Sequence, residues 1–172
     1  MGHCMKKVII STLAFLAFDT FADAPLSKPE IFRVCDKTVT YCASLNPEEG
    51  TTVYRIEAPF KPKEMYKVSS WSRSATLSED GEYLIIGYSG LNLVPKDVKP
   101  SEVMFTIWKN GVKHKEINLG QIIGKWSSLE ETASHYKWGG IRYLIRENLF
   151  LDTVEGSVVI NVETGEVKRY KK

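Results

Sequence analysis

The sequence predicts an all-β protein of antiparallel strands, and two observations carry this prediction. Short runs of β-branched and aromatic residues alternate with turn sequences along most of the chain, a pattern typical of domains made of many short strands. No heptad repeat, long helical period or low-complexity tract interrupts the alternation. We therefore expect an antiparallel meander of four-stranded units.

The strand-like segments follow one another at short intervals. In chain order, strands are expected over 31–35, 39–45, 51–58, 65–71, 72–78, 82–89, 103–109, 112–119, 140–145, 149–154, 157–162 and 166–170. Asn110-Gly111 predicts a tight hairpin, because both residues tolerate a positive φ.

The distribution of apolar and charged residues indicates which strands are covered. Residues 83–88 and 103–108 are apolar at nearly every position, whereas a strand with one solvated face would alternate. We expect other layers on both faces of these two strands. Residues 112–116 and 166–170 are rich in charge, which is typical of sheet edges.

The strands group into three units, over about 31–71, 72–119 and 136–170. The segment Ser78-Glu79-Asp80-Gly81-Glu82-Tyr83-Leu84 resembles the Ser-x-Asp-Gly-x-Tyr-Leu turn of β-propeller blades. Val162-Glu163-Thr164-Gly165-Glu166-Val167 is similar to the Thr-Gly-x-Val hairpin of such blades. The resemblance implies blade-like units, but closed propellers usually have four or more blades. An incomplete propeller-like stack, two chains combining, a β-sandwich and an open barrel therefore all remain open.

The stretch from Gly120 to Gly140 interrupts the strand pattern. Ser127 and Ser128 each have a glutamate three residues further on, which is the signature of a capped helix start. We expect one short helix near 128–134.

The N-terminus has the form of a cleaved signal peptide. Lys6-Lys7 precedes eleven largely apolar residues, Val8 to Phe18, and a small-residue region follows. A membrane-spanning helix needs about twenty such residues, so we expect no stable membrane insertion. The leader is assigned to 1–22, with cleavage after Ala22 or after Ala24, and a single β-domain to 23–172. This predicts a periplasmic or secreted protein.

The two cysteines of the mature chain, Cys35 and Cys42, are expected to pair in an oxidising compartment. Without the leader the chain carries a net charge of +1, which gives no long-range field for nucleic acid. The basic cluster Lys168-Arg169-Tyr170-Lys171-Lys172 could contact an anionic group, but a solvated edge strand explains it more simply.

Residues suited to recognition concentrate around the expected helix. Trp126, His135, Tyr136 and Trp138 could form an aromatic platform with a hydrogen-bonding histidine. Alternatively, the two tryptophans could plug the end of a sheet, with the neighbouring glycines allowing a turn. The loop 90–100 is either a partner-binding arm or a packed loop that caps the core. No metal-ligand spacing and no phosphate-binding loop is present, so we expect no metal and no cofactor.

These features favour a non-enzymatic module that binds a protein or peptide partner in the cell envelope, as an inhibitor or immunity protein would. The alternative is a small envelope hydrolase with His135 as its base, although no Gly-x-Ser-x-Gly motif accompanies this histidine.

The leader assignment predicts the N-terminus of the exported protein. When the full chain is produced in a Gram-negative host, N-terminal sequencing of the periplasmic fraction should read from Asp23, or from Pro25 if the second cut is used. Full-length protein that stays in the cytosol with its leader attached would contradict the assignment.

Overall fold

A computed structural model describes residues 25–59 and 61–171, and the expected leader lies outside these residues. The described part is all-β, as expected, with four antiparallel sheets and one short helix. In chain order the elements are β1 Phe32–Cys35, β2 Tyr41–Asn46, β3 Gly50–Glu57, β4 Lys61–Val68, β5 Ala75–Leu77, β6 Tyr83–Gly87, β7 Leu93–Pro95, β8 Val103–Lys109, β9 Val112–Asn118, α1 Leu119–Ile122, β10 Glu130–Glu131, β11 His135–Lys137, β12 Gly139–Ile145, β13 Asn148–Thr153, β14 Gly156–Asn161 and β15 Val167–Lys171.

Three of the sheets have four strands and match the three expected units. The N-terminal sheet has the order β1-β2-β3-β4, the central sheet β5-β6-β8-β9, and the C-terminal sheet β12-β13-β14-β15. The fourth is a small sheet, β10-β11-β7, formed by segments that lie between the strands of the larger sheets. Each large sheet is essentially a meander, because neighbours in sequence pair directly and only β7 is skipped in the central sheet.

The central sheet is covered on both faces, as the apolar runs predicted. Along β6, Tyr83 and Ile85 belong to the core shared with the C-terminal sheet, while Leu84 and Ile86 belong to the core shared with the N-terminal sheet. Successive side chains of a strand point to opposite faces, so a single strand contributes to both cores. The molecule is therefore a three-layer stack with two apolar interfaces.

The first strands of the three large sheets lie together, since β1 and β12 both contact β5. The charged strands β9 and β15 are sheet edges, which confirms that expectation. Asn110 and Gly111 both have positive φ and connect β8 to β9 as predicted. Within residues 25–59 and 61–171 the sheets do not close into a barrel or a propeller ring.

The prediction of a helix near 128–134 is wrong. The only α-helix of the described residues lies earlier, at Leu119–Ile122. The region instead contains a 3-10 turn at Trp126–Ser128, followed by the extended strands β10 and β11. Tertiary partners replace the helix cap: the Ser128 hydroxyl donates to Glu155, while Glu131 pairs with Lys96 at 2.6 Å. Helix nucleation is unfavourable, and a helix of about seven residues gains few hydrogen bonds to offset it. The contacts of Ser128 with Glu155 and of Glu131 with Lys96 therefore determine the conformation.

The loop 90–100 is packed against the core. Val94 is fully buried in β7, and the backbone of Leu91 and Asn92 accepts hydrogen bonds from Trp138. Of the two interpretations of this loop, the packed loop that caps the core is therefore the one that the structure shows. Among the described residues no helix is long and apolar enough to cross a lipid bilayer.

Cys35 and Cys42 form a disulfide across the β1–β2 pair, as expected from the sequence. The hairpin between them is held by Asp36, which accepts hydrogen bonds from the backbone N–H groups of Thr38 and Tyr41 at 2.9 and 2.7 Å. The bridge therefore joins positions that strand pairing already places side by side.

Removing the bridge should lower stability without changing the fold. For so short a loop, the chain-entropy relation gives a loss of about 2.5 kcal/mol for the Cys35→Ser/Cys42→Ser variant, measured by denaturant unfolding. Intact mass after alkylation, with and without reductant, checks the bond itself. Two freely alkylated thiols in unreduced periplasmic protein would contradict it.

Candidate functional site

Two of the four residues expected to form one recognition platform, Tyr136 and Trp138, pack with the core instead. Trp138 is only 2% exposed and packs edge-on against Phe105, with 5.9 Å between ring centroids. Its indole N–H donates to the Leu91 carbonyl at 2.8 Å. The side chain thus lies in the core, where the alternative interpretation of the sequence placed it, and it takes no part in the site described below.

His135 and Tyr136 are neighbours on β11 and therefore point to opposite faces. Tyr136 packs against the core shared by the central and C-terminal sheets. His135 is half-buried, and its Nδ1 lies 2.8 Å from the Ser134 hydroxyl. Only His135 of this pair presents its side chain away from the core.

Trp126 is 39% exposed and lies in sequence between Lys125 and Ser128, two residues that line a groove. The groove has a volume of about 580 Å³. Its walls are Gly124, Lys125 and Ser128 on one side and residues 153–158 and 169–171 on the other. No local sequence pattern indicates this groove, because its walls come from three separated segments.

A single carboxylate holds the two walls together. Glu155, in the β13–β14 turn, accepts hydrogen bonds from the backbone N–H groups of Gly124 and Lys125 at 2.7 and 2.6 Å. It also accepts one from the Ser128 hydroxyl at 2.9 Å. Burial alone raises the pKa of Glu155, but these hydrogen bonds outweigh it and hold the pKa below its ordinary value. The segment that carries Trp126 is thus tied to the C-terminal sheet.

Arg169 supports the same wall from β15. Its guanidinium donates to the carbonyl oxygens of Gln121 and Ile122 at 2.7 and 3.2 Å, near the C-terminus of α1. Cations are favoured at the carbonyl end of a helix. This contact fixes the direction in which the chain leaves α1 and enters the groove wall.

The rim of the groove is basic. In the part of the chain that the structure describes, neither Lys125 nor Lys171 lies within ion-pair distance of a carboxylate. Tyr170 is 55% exposed between Arg169 and Lys171. The lining of the groove therefore combines the apolar residues Val154 and Val158, the exposed Tyr170 and uncompensated positive charge. The exposed Trp126 lies in the turn that forms one wall.

A second polar cluster joins the central and C-terminal sheets. Glu163, in the β14–β15 turn, accepts hydrogen bonds from the Tyr83 hydroxyl and, at 2.8 Å, from the Lys109 ammonium. Its backbone carbonyl lies 2.9 Å from Nε2 of His114. His114, on the charged strand β9, is half-buried in this contact. We call these four residues the Glu163 clasp.

The charges of the clasp stabilise one another. The hydrogen bonds from Lys109 and then from Tyr83 lower the pKa of Glu163 from 4.5 to about 2. The hydrogen bond to Glu163 in turn raises the pKa of Lys109. Because its members satisfy one another, we interpret the clasp as a link between sheets.

No group of three or more histidine, cysteine or acidic side chains in residues 25–59 and 61–171 is arranged to hold a metal ion. Comparison with protein-family models, with curated proteins and with solved structures finds no match to the chain.

Because of the clasp, the free energy of unfolding should decrease as the pH is lowered. Because folding lowers the pKa of Glu163, its contribution is complete above about pH 4.5 and is lost as the pH falls towards about 2. Thermal unfolding should show Glu163→Gln less stable than wild type near pH 6, with the difference shrinking towards about pH 2. Glu166→Gln, in the same hairpin and paired with Lys168 across an exposed 3.4 Å contact, is the control and should track wild type. Parallel Tm curves for Glu163→Gln and wild type would contradict the role of the clasp.

Proposed function

We propose that this chain is an exported, non-enzymatic module that binds a protein or peptide partner in the groove beside Trp126. The observation that carries the proposal is a binding surface assembled before any partner arrives. Glu155 fixes both walls through three hydrogen bonds. A groove ordered in advance loses less conformational entropy when a ligand binds.

The composition of the surface fits a macromolecular partner. Tryptophan, tyrosine and arginine dominate the binding energy of protein interfaces. Arg169 and Tyr170 line the groove, and the exposed Trp126 lies in sequence between Lys125 and Ser128, which line it as well. Lys125 and Lys171 add charge at the rim, where it mainly steers association. An inhibitor or immunity protein that holds another protein through one fixed face would use such a surface.

Two features support an extracytoplasmic location. The N-terminal sequence has the form of a leader, and the disulfide between Cys35 and Cys42 is of a kind that persists in oxidising compartments. A partner in the cell envelope follows from that location.

The hydrolase alternative has one supporting contact, the 2.8 Å approach of the Ser134 hydroxyl to His135, since a serine beside a histidine is the basis of many nucleophilic enzymes. Neither residue lines the groove. This alternative predicts that His135→Ala abolishes turnover of an ester or cell-wall substrate. The binding proposal predicts that the same variant retains the partner.

The binding proposal is tested with the mature, oxidised protein as bait in an extract of its native envelope. Wild type should retain one stoichiometric partner, and Trp126→Ala/Tyr170→Ala should weaken retention by about tenfold or more, because hot-spot aromatic rings are lost. Binding is then quantified by calorimetry with the purified partner.

The matched control is Ile31→Ala/Val112→Ala, which removes two apolar side chains that are 64% and 69% exposed outside the groove. Both double variants should unfold close to the wild-type Tm. Equal retention by the groove variant, the control and wild type would show that the groove is not the binding site.

A further inference from the structure

The last strand of the described residues, β15, is an edge of the C-terminal sheet. β15 pairs with β14 on one side, and no strand of the described residues pairs with its other side. An open strand edge presents unpaired N–H and C=O groups, which can hydrogen-bond an added strand. The residues 169–171 of this strand also line the groove.

The hydrogen-bond pattern identifies which groups face the open edge. The N–H of Asn161 donates to the carbonyl of Glu166 at 2.9 Å, and the register from Ile160↔Val167 to Gly156↔Lys171 is uninterrupted. Hydrogen-bonded and non-hydrogen-bonded pairs alternate along antiparallel strands. Lys168 and Tyr170 therefore bond to β14, whereas the N–H and C=O groups of Val167, Arg169 and Lys171 point outward.

The charge along this edge indicates what could pair with it. Lys168, Arg169 and Lys171 lie on the strand itself, and Lys125 lies across the groove from it. Glu166 offsets Lys168 across an exposed 3.4 Å pair. Glu155 is the acidic residue of the groove wall, and its oxygens are already occupied by three donors.

A second copy of the chain is a poor occupant for this edge. Two β15 strands would place lysine and arginine side chains opposite one another, and like charges opposed across strands are destabilising. An acidic strand would instead form favourable cross-strand pairs with the same side chains.

We propose that the open edge of β15 binds an acidic, extended segment of the partner as an added β-strand. Its backbone would pair with Val167, Arg169 and Lys171, and its carboxylates would lie near Lys125 and Lys171. This inference rests on the proposed function, because it names the chemical class of the ligand that the groove holds.

The probe is an N-acetylated ten-residue peptide of alternating glutamate and threonine, titrated into the mature protein by calorimetry. It should bind at low salt, and affinity should fall by about tenfold or more as salt rises to about 0.5 M. A matched peptide with glutamine in place of glutamate should bind about tenfold or more weakly. A glutamate peptide N-methylated at alternate residues, which cannot form a ladder, should also bind more weakly.

Charge-reversal variants of the protein test the same electrostatic contacts. Lys125→Glu/Lys171→Glu should weaken binding of the glutamate peptide by about tenfold or more. Lys61→Glu/Lys99→Glu changes charge equally at two exposed lysines away from the groove and should stay within about twofold of wild type.

Amide hydrogen exchange followed by NMR separates strand addition from a loose electrostatic contact. In the free protein the amides of Val167, Arg169 and Lys171 should exchange faster than those of Lys168 and Tyr170, and the peptide should slow the first set by about tenfold or more. Unchanged exchange at 167, 169 and 171 with bound peptide would overturn strand addition. Equal affinity for the glutamate and glutamine peptides would overturn the acidic class.

The outcomes for the inference and for the proposed function are distinct. If the partner still depends on Trp126 and Tyr170 but the glutamate peptide does not bind, the inference fails and the function stands. If the partner is retained by the groove variant, the function fails as well. Binding to vesicles of anionic lipid in preference to the peptide would replace the peptide with a lipid surface and overturn the inference.

Discussion

The fold depends on the burial of one sheet from both sides. Ile85 and Ile107 of the central sheet face the C-terminal sheet, while Leu84 and Ile86 face the N-terminal sheet. Apolar surface buried on two faces gives this sheet about twice the contact area of an outer one, and burial stabilises in proportion to area. Within residues 25–59 and 61–171 neither outer sheet has such a second interface, so each depends on the central sheet for its core.

The polar contacts lie at the margins of this stack and fix how its parts meet. The Glu163 clasp joins the central sheet to the last hairpin through groups that satisfy one another. Glu155 instead holds an irregular segment against the C-terminal sheet and leaves open space beside it. The clasp thus links two sheets through groups that all hydrogen-bond to Glu163, whereas the Glu155 contacts form the wall of a groove. The proposed binding site therefore lies beside Glu155 and not at the clasp.

The strands of the three large sheets could be predicted from the sequence because their signals are local, whereas β7, β10 and β11 of the small sheet were not predicted. Consecutive apolar residues marked the buried strands, Asn110-Gly111 marked a hairpin, and charge marked the edges. The prediction of a helix near 128–134 was wrong because the Ser128 hydroxyl donates a hydrogen bond to Glu155, 27 residues away, and does not cap a helix. The groove depends on the same long-range contact, so no local pattern revealed it. Trp126 was identified only because it is an aromatic residue in an irregular stretch.

The central sheet, buried on both faces, should be the last part of the molecule to open, and native-state amide hydrogen exchange measures this directly. The amides of β6 and β8 should be the slowest in the chain, with an opening free energy equal to that of global unfolding by denaturant. The outer strands β4 and β15 should exchange through smaller, local openings. If the amides of β6 and β8 exchanged faster than those of the outer sheets, the three-layer account would be contradicted.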